Sequence, residues 1–153
     1  MKYRIDQVAI LVENRNAVME MLELVFGLDK EKWIQDEVKK ALLFLEPERI
    51  PAGNIQYKLG FSYELLDKGI EFELIEVDGY KGFQSHLNPP CISHFGCHVD
   101  DLEEAVKDFE SQGFMPVQTC ETKEHTGTKR RYTYTFIDTR PLLGYYLKLI
   151  KRM

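Results

Sequence analysis

The sequence predicts an α+β protein made of two βαβββ modules, and two observations support this prediction. The first is an internal repeat: IDQVAILVENRNAVMEMLELVFG, residues 5–27, aligns with ISHFGCHVDDLEEAVKDFESQG, residues 92–113, after a one-residue gap. The second is that three stretches of strand character, rather than another helix, follow each repeated segment. Each module is therefore predicted to contain one strand, one helix and three further strands.

Each repeated segment has the pattern of a strand, a turn, an amphipathic helix and a glycine stop. In the second copy Asp101 opens the helix in capping-box spacing with Glu104, and Gly113 ends it. In the first copy Asn14 is the predicted cap and Gly27 the stop. The apolar faces predicted to pack on the sheet are Val18, Leu22 and Val25 in the first helix and Leu102, Ala105, Val106 and Phe109 in the second.

The remaining strands are predicted at residues 41–45, 55–61 and 70–77 in the first half and at 115–119, 129–137 and 145–151 in the second. The two last strands align as IEFELIEV and YYLKLIKR, which places Glu73 opposite Lys148, just as Gln7 falls opposite His94. Residues 79–91 are rich in glycine, proline and asparagine and form the predicted linker. The modules are therefore residues 1–78 and 92–153, packed together as one domain.

Composition narrows the classes of function. The net charge of -5 and the pI near 5.4 argue against nucleic acid or an anionic membrane as a partner, since both require a cationic surface. The first residues lack a signal-peptide layout, so a cytoplasmic protein is expected. Cys91, Cys97 and Cys120 form no C-x-x-C pair, so we interpret them as small apolar residues and not as a disulfide framework or a zinc site.

The segments IDQVAI, ISHFGCHVDDLEEAV and FIDTRPLLGYYLKLI, set in two βαβββ modules, resemble the vicinal oxygen chelate superfamily. This superfamily includes glyoxalase I, methylmalonyl-CoA epimerase, extradiol dioxygenases, and fosfomycin resistance and bleomycin-binding proteins. The resemblance covers essentially the whole chain. It implies cupped mixed sheets that enclose a cavity, helices on the outer face, and a divalent metal in the cavity.

In that superfamily the first and last strands of each module supply the metal ligands, and the repeat places these positions at Gln7, Glu73, His94 and Lys148. Gln7, Glu73 and His94 suit zinc, nickel, cobalt, manganese or iron, whereas an ammonium group repels a divalent cation. Strand alternation places all four side chains on the face opposite their apolar neighbours. The resemblance implies that this face lines the cavity; without it, an open face toward solvent is the simpler interpretation. Two interpretations stay open: an ion pair between Lys148 and Glu73 replaces the metal, or Lys148 turns to solvent beside a three-ligand site.

The resemblance leaves two main functions open. One is a glyoxalase-like lyase or isomerase that acts on a small oxygenated metabolite, with Glu73 as the catalytic base beside the metal. The other is a metal-free binding protein of the bleomycin-resistance type. A structural or regulatory dimer that has lost the site is a third interpretation. Extradiol dioxygenase activity is disfavoured because Gln7 stands where a histidine would be required. A homodimer is expected, since open sheets have edges to cover.

Besides Lys148, three residues are candidate contacts for a small-molecule ligand. His98 shares a strand face with His94 at a distance of about 13 Å, so it either contacts a ligand deeper in the cup or has a structural role. Arg130 belongs to the cationic and aromatic run KRRYTY, which suits an anion or a planar ring but also suits a soluble hairpin tip. Tyr146 lies two residues before Lys148, on the same face.

Overall fold

Two βαβββ modules follow one another in the computed structural model, which describes residues 2–44, 54–62, 69–78, 87–122 and 132–152. The first module contains β1 (Gln7–Val12), α1 (Arg15–Phe26), β2 (Ile34–Phe44), β3 (Asn54–Ser62) and β4 (Glu71–Asp78). The second contains β5 (Cys91–His98), α2 (Leu102–Ser111), β6 (Pro116–Thr122), β7 (Tyr132–Ile137), the short α3 (Arg140–Leu143) and β8 (Tyr146–Arg152). The predicted α+β class is confirmed.

The two mixed sheets are joined edge to edge into one closed barrel, in the order β1-β4-β3-β2-β6-β7-β8-β5. In each module the first and last strands pair in parallel, and the other neighbours are antiparallel. The modules meet at two antiparallel seams, β1 with β5 and β2 with β6. A closed barrel of this size has an interior that side chains or one small ligand can fill. Closure also removes the open sheet edges on which the dimer prediction partly depended.

The helices lie on the outer surface of the barrel. Met19 and Val18 of α1 pack with Leu74 of β4, while Leu102 and Ala105 of α2 pack with the apolar outer face of β8. The prediction that Val25 belongs to the packed face of α1 is wrong. Three consecutive residues of the last turn, Leu24, Val25 and Phe26, are exposed by 81%, 60% and 71%, so this turn as a whole does not contact the sheet.

The predicted helix ends are confirmed. Asn14 accepts a hydrogen bond from the backbone N–H of Ala17 at 2.9 Å, and Asp101 accepts one from Glu104 at 3.0 Å. Gly27 adopts a positive φ of 68°, which closes α1 in the left-handed conformation that glycine allows. None of the helices in the described ranges is long and apolar enough to cross a membrane.

The second strand is longer than predicted. It begins at Ile34 and not at residue 41, because the charged segment 34–40 pairs with β3 from Ile34↔Phe61 onward. That segment has no alternating apolar pattern, so only the long-range backbone pairing defines it as a strand. Residues 79–86 of the predicted linker lie outside the described residues, and β5 begins at Cys91. Burial raises the pKa of the Cys97 thiol to about 11, in keeping with a small apolar role.

Candidate functional site

Four buried polar side chains meet inside the barrel, and we call Gln7, Glu73, His94 and Lys148 the central cluster. Their exposed fractions are 2%, 1%, 1% and 6%. Lys148 Nζ lies 3.3 Å from Gln7 Oε1 and 3.3 Å from Glu73 Oε2. His94 Nε2 lies 3.3 Å from Gln7 Oε1 and 3.5 Å from Glu73 Oε2. The four positions related by the repeat are thus brought together, and Lys148 and Glu73 form an ion pair.

Strand alternation explains why these side chains point inward. Phe72 and Leu74, on either side of Glu73, belong to the apolar cluster under α1. Leu147 and Leu149, on either side of Lys148, belong to the cluster under α2. Neighbouring side chains of a strand point to opposite faces, so the two charged residues are directed into the barrel.

A glycine makes room for the central cluster. Gly96 lies between two of the contributing strands, because it pairs with Gln7 of β1 and with Lys148 of β8. A methyl group added at Gly96 would lie 2.6 Å from Gln7 Oε1 and 3.1 Å from Ile150 Cδ1. The side chain of Gln7 therefore needs glycine at this position, a requirement that the sequence pattern alone did not reveal.

Aromatic rings from β7 pack against Lys148 and His94 of the central cluster. Lys148 Nζ lies 4.8 Å from the ring centroid of Tyr134, in a cation–π arrangement. The ring of His94 packs against Phe136 edge to face, with centroids 5.0 Å apart, and its Nδ1 lies 3.0 Å from Ser93 Oγ. Two rings thus pack against the cluster, and its burial strengthens the electrostatic contacts within it.

Glu71 is a fifth polar residue of this region, which was not predicted from the sequence. It is 5% exposed, accepts a hydrogen bond from Gln7 Nε2, and lies 3.7 Å from Arg152 Nη2 through Oε2. Burial, and then the nearby charge of Glu73, raise the pKa of the Glu71 carboxyl. Glu71 lies two residues before Glu73 and therefore on the same strand face. The same relation to Lys148 identified Tyr146 as a candidate, so this spacing could have identified Glu71 as well.

Glu71→Gln is expected to stabilise the fold at neutral pH relative to the wild type, with the gain vanishing in acid. The folded pKa of Glu71 lies above its ordinary value of 4.5, so its contribution to stability is present below that value and is lost as pH rises through the folded pKa. Glutamine stays neutral and keeps an oxygen for Gln7. Urea unfolding from about pH 4 to about pH 8 measures the difference. A variant less stable than the wild type at neutral pH would contradict this expectation.

The structure describes two of the three remaining predicted ligand contacts. His98 Nδ1 is 2.9 Å from Asp6 Oδ1, so His98 belongs to a histidine–aspartate pair and not to the central cluster. Tyr146 is 2% exposed, and the guanidinium of Arg140 lies 4.5 Å from its ring centroid. Arg130 lies outside the described residues.

Comparison with known proteins identifies the family to which this architecture belongs. Residues 6–134 match the family model of the glyoxalase/bleomycin resistance protein/dioxygenase superfamily. The chain belongs to this superfamily. No curated protein matches the sequence. The resemblance stated from the repeat and its motifs is thereby confirmed.

Several solved structures share this fold at low identity. Methylmalonyl-CoA epimerase from Mycobacterium tuberculosis is 17% identical, with a TM-score of 0.55 over 97% of this chain and 87% of the epimerase. A 4-hydroxymandelate synthase variant from Streptomyces coelicolor is 17% identical, with a TM-score of 0.61 over 99% of this chain and 48% of the synthase. A hypothetical protein from Bacillus halodurans is 16% identical, with a TM-score of 0.58 over 100% and 96% of the two chains.

Members of this superfamily commonly use a divalent metal, but the central cluster does not fit one as it is arranged. The ammonium of Lys148 contacts Gln7 Oε1 and Glu73 Oε2, the two oxygens that would bind the metal, and like charges repel. Lysine offers no lone pair while it is protonated. Within the described ranges no group of three or more His, Cys, Asp or Glu side chains is arranged to hold a metal ion.

Proposed function

We propose that this chain is a small-molecule-binding protein of the superfamily that works without a metal. In this proposal the ammonium group of Lys148 supplies the positive charge that a metal would otherwise supply. The observation that carries the proposal is the position of Lys148 Nζ, 3.3 Å from each of the two oxygens of Gln7 and Glu73. An ammonium at this point can offer a hydrogen bond and a charge to an oxygen of a ligand. It neutralises Glu73 at the same time.

Related structures indicate the ligand chemistry to test first. One methylmalonyl-CoA epimerase, 16% identical over 99% of this chain, was solved with methylmalonyl-CoA and an ammonium ion. The Lys148 side chain carries the same kind of cation. We therefore propose a small oxygenated ligand with a carboxylate or thioester oxygen near Lys148, with Tyr146 and Arg130 as further contacts.

The experiment is a thermal-shift titration of the full chain with malonate, methylmalonate and methylmalonyl-CoA after treatment with a chelator. We expect a saturable rise in Tm that the chelator does not change; a ligand at 100 times its Kd stabilises by about 2.7 kcal/mol. Lys148→Gln is expected to abolish the rise, and Lys107→Gln, which removes an exposed charge on α2, to retain it. A rise that requires added metal, or one that Lys148→Gln retains, would contradict the proposal.

The second candidate is a metal-dependent glyoxalase-like lyase or isomerase, with Gln7, Glu73 and His94 as metal ligands and Glu73 as the base. It is favoured by the convergence of these three side chains, since His94 Nε2 lies within 3.5 Å of both Glu73 Oε2 and Gln7 Oε1. It requires Lys148 to leave the cluster. A metal-dependent rise in Tm in the same titration would support it.

The homodimer and the cytoplasmic location stay predictions.

A further inference from the structure

A recess of about 300 Å³ opens at one end of the barrel, next to the central cluster but not part of it. We call it the end recess; its lining is Arg4, Asp6, Gly69, Glu71, His98 and Arg152. Strand directions explain why these residues meet. β1 and β4 run in parallel and begin here, while β5 runs antiparallel to β1, parallel to β8, and ends here with it.

The histidine–aspartate pair in the end recess is held in a fixed orientation. Asp6 Oδ1 lies 2.9 Å from His98 Nδ1 and also accepts a hydrogen bond from the backbone N–H of His98 at 3.3 Å. A carboxylate beside Nδ1 favours the tautomer that carries its proton there, which leaves the lone pair of a neutral ring on Nε2. Nε2 makes no hydrogen bond to any other described residue, so it is available to a ligand.

Two guanidinium groups supply charge beside this histidine. Arg4 Nη2 donates to the carbonyl oxygen of Gly69 at 3.2 Å, and Arg152 Nη2 lies 3.7 Å from Glu71 Oε2. Each guanidinium has five N–H donors, so both keep donors for a ligand. Asp6 Oδ1 is already engaged by the ring and the backbone N–H of His98, and the Glu71 carboxylate accepts from Gln7 Nε2 and lies beside Arg152. The recess therefore offers more donors than free acceptors.

We propose that the end recess is a binding site for a small oxyanion that also carries a hydroxyl group. The planar forks of Arg4 and Arg152 suit the oxygens of a carboxylate or phosphate group. His98 Nε2 would accept a hydrogen bond from the hydroxyl of a 2-hydroxy acid or from the P–OH of hydrogen phosphate. The volume is at the lower end of the range for ligand pockets, which limits the occupant to a small molecule. This site does not depend on the role proposed for Lys148.

The test is isothermal titration calorimetry of the full chain with inorganic phosphate and, separately, with lactate, combined with NMR of the His98 ring. We expect saturable binding of at least one anion, with His98 resonances shifting at the same concentrations. Arg152→Gln and Arg4→Gln are each expected to weaken binding about 10-fold or more, because each removes charge-assisted hydrogen bonds. The stronger of the two ligands identifies phosphate or carboxylate as the preferred group.

Two controls test whether weaker anion binding arises from the loss of a contact in the end recess, and not from unfolding or from the loss of any positive charge. The Arg152 side chain is 54% exposed, so Arg152→Gln is expected to keep the wild-type Tm. Lys107→Gln removes an exposed positive charge on α2 and is expected to bind the anions as the wild type does. The proposal is overturned if neither anion binds saturably, or if both arginine variants bind as tightly as Lys107→Gln.

Discussion

Lys148→Met is expected to lower the free energy of unfolding by about 3–5 kcal/mol, because it leaves the buried carboxylate of Glu73 without its ammonium partner. Both side chains are almost fully buried, at 1% for Glu73 and 6% for Lys148, so water cannot replace the lost cation without rearrangement. Glu71 increases the penalty, because the charge of Lys148 also favours the ionised form of this second buried carboxyl, whose pKa is raised by burial and by Glu73. Urea unfolding measures the loss.

The matched control is the double variant Lys148→Met/Glu73→Gln, which removes both charges. We expect it to lie within about 1–2 kcal/mol of the wild type, since replacing both members of a buried pair is far less costly than removing one. Together with Glu73→Gln alone, it completes a double-mutant cycle. A cost below about 1 kcal/mol for Lys148→Met would place the pair among solvent-screened ion pairs and contradict the account.

Phe136→Ala is the other change with a large expected effect, a loss of about 3–5 kcal/mol in the free energy of unfolding. Phe136 is 4% exposed and lies inside the barrel, with its ring centroid 5.0 Å from that of His94 and 5.5 Å from that of Tyr134. Truncation opens a cavity beside His94 and removes the edge-to-face contact that orients its ring. Chemical unfolding, with NMR of the His94 ring as a local probe, measures both consequences.

Two further variants calibrate this result. Phe136→Leu keeps most of the apolar volume and is expected to cost clearly less than Phe136→Ala. Leu24→Ala truncates a side chain that is 81% exposed in the last turn of α1, and it is expected to change stability by less than about 0.5 kcal/mol. A loss in the free energy of unfolding for Phe136→Ala as small as that for Leu24→Ala would contradict a packed barrel interior.

The sequence predicts the fold from its internal repeat, and the common face of the central cluster from the two-residue alternation of strands. The repeat defines the modules, and strand alternation turns Gln7 and Lys148 to the same side of the sheet. Their convergence follows from two kinds of pairing: the first and last strands of each module pair in parallel, and the two first strands, β1 and β5, pair with each other. The identity of the four positions came from the resemblance, since alternation alone fits a solvent-facing sheet better.

Other features depend on long-range contacts that no local pattern encodes. Closure of the barrel requires β2 to pair with β6, two strands far apart in the chain. The need for Gly96 arises from the position of Gln7 across the β1–β5 seam. The pairing of Asp6 with His98 joins residues separated by 92 positions. In each case the partner residue becomes evident only when the strands are placed side by side.

The most direct test of the central claim is the metal content of the wild type and of Lys148→Glu, each purified without chelator and then incubated with nickel, cobalt, zinc, manganese or iron. The substitution replaces the ammonium with a carboxylate beside Gln7, Glu73 and His94, a donor set that suits a divalent metal. We expect no stoichiometric metal in the wild type and stoichiometric metal in Lys148→Glu. Stoichiometric metal in the wild type would contradict the replacement of the metal by Lys148.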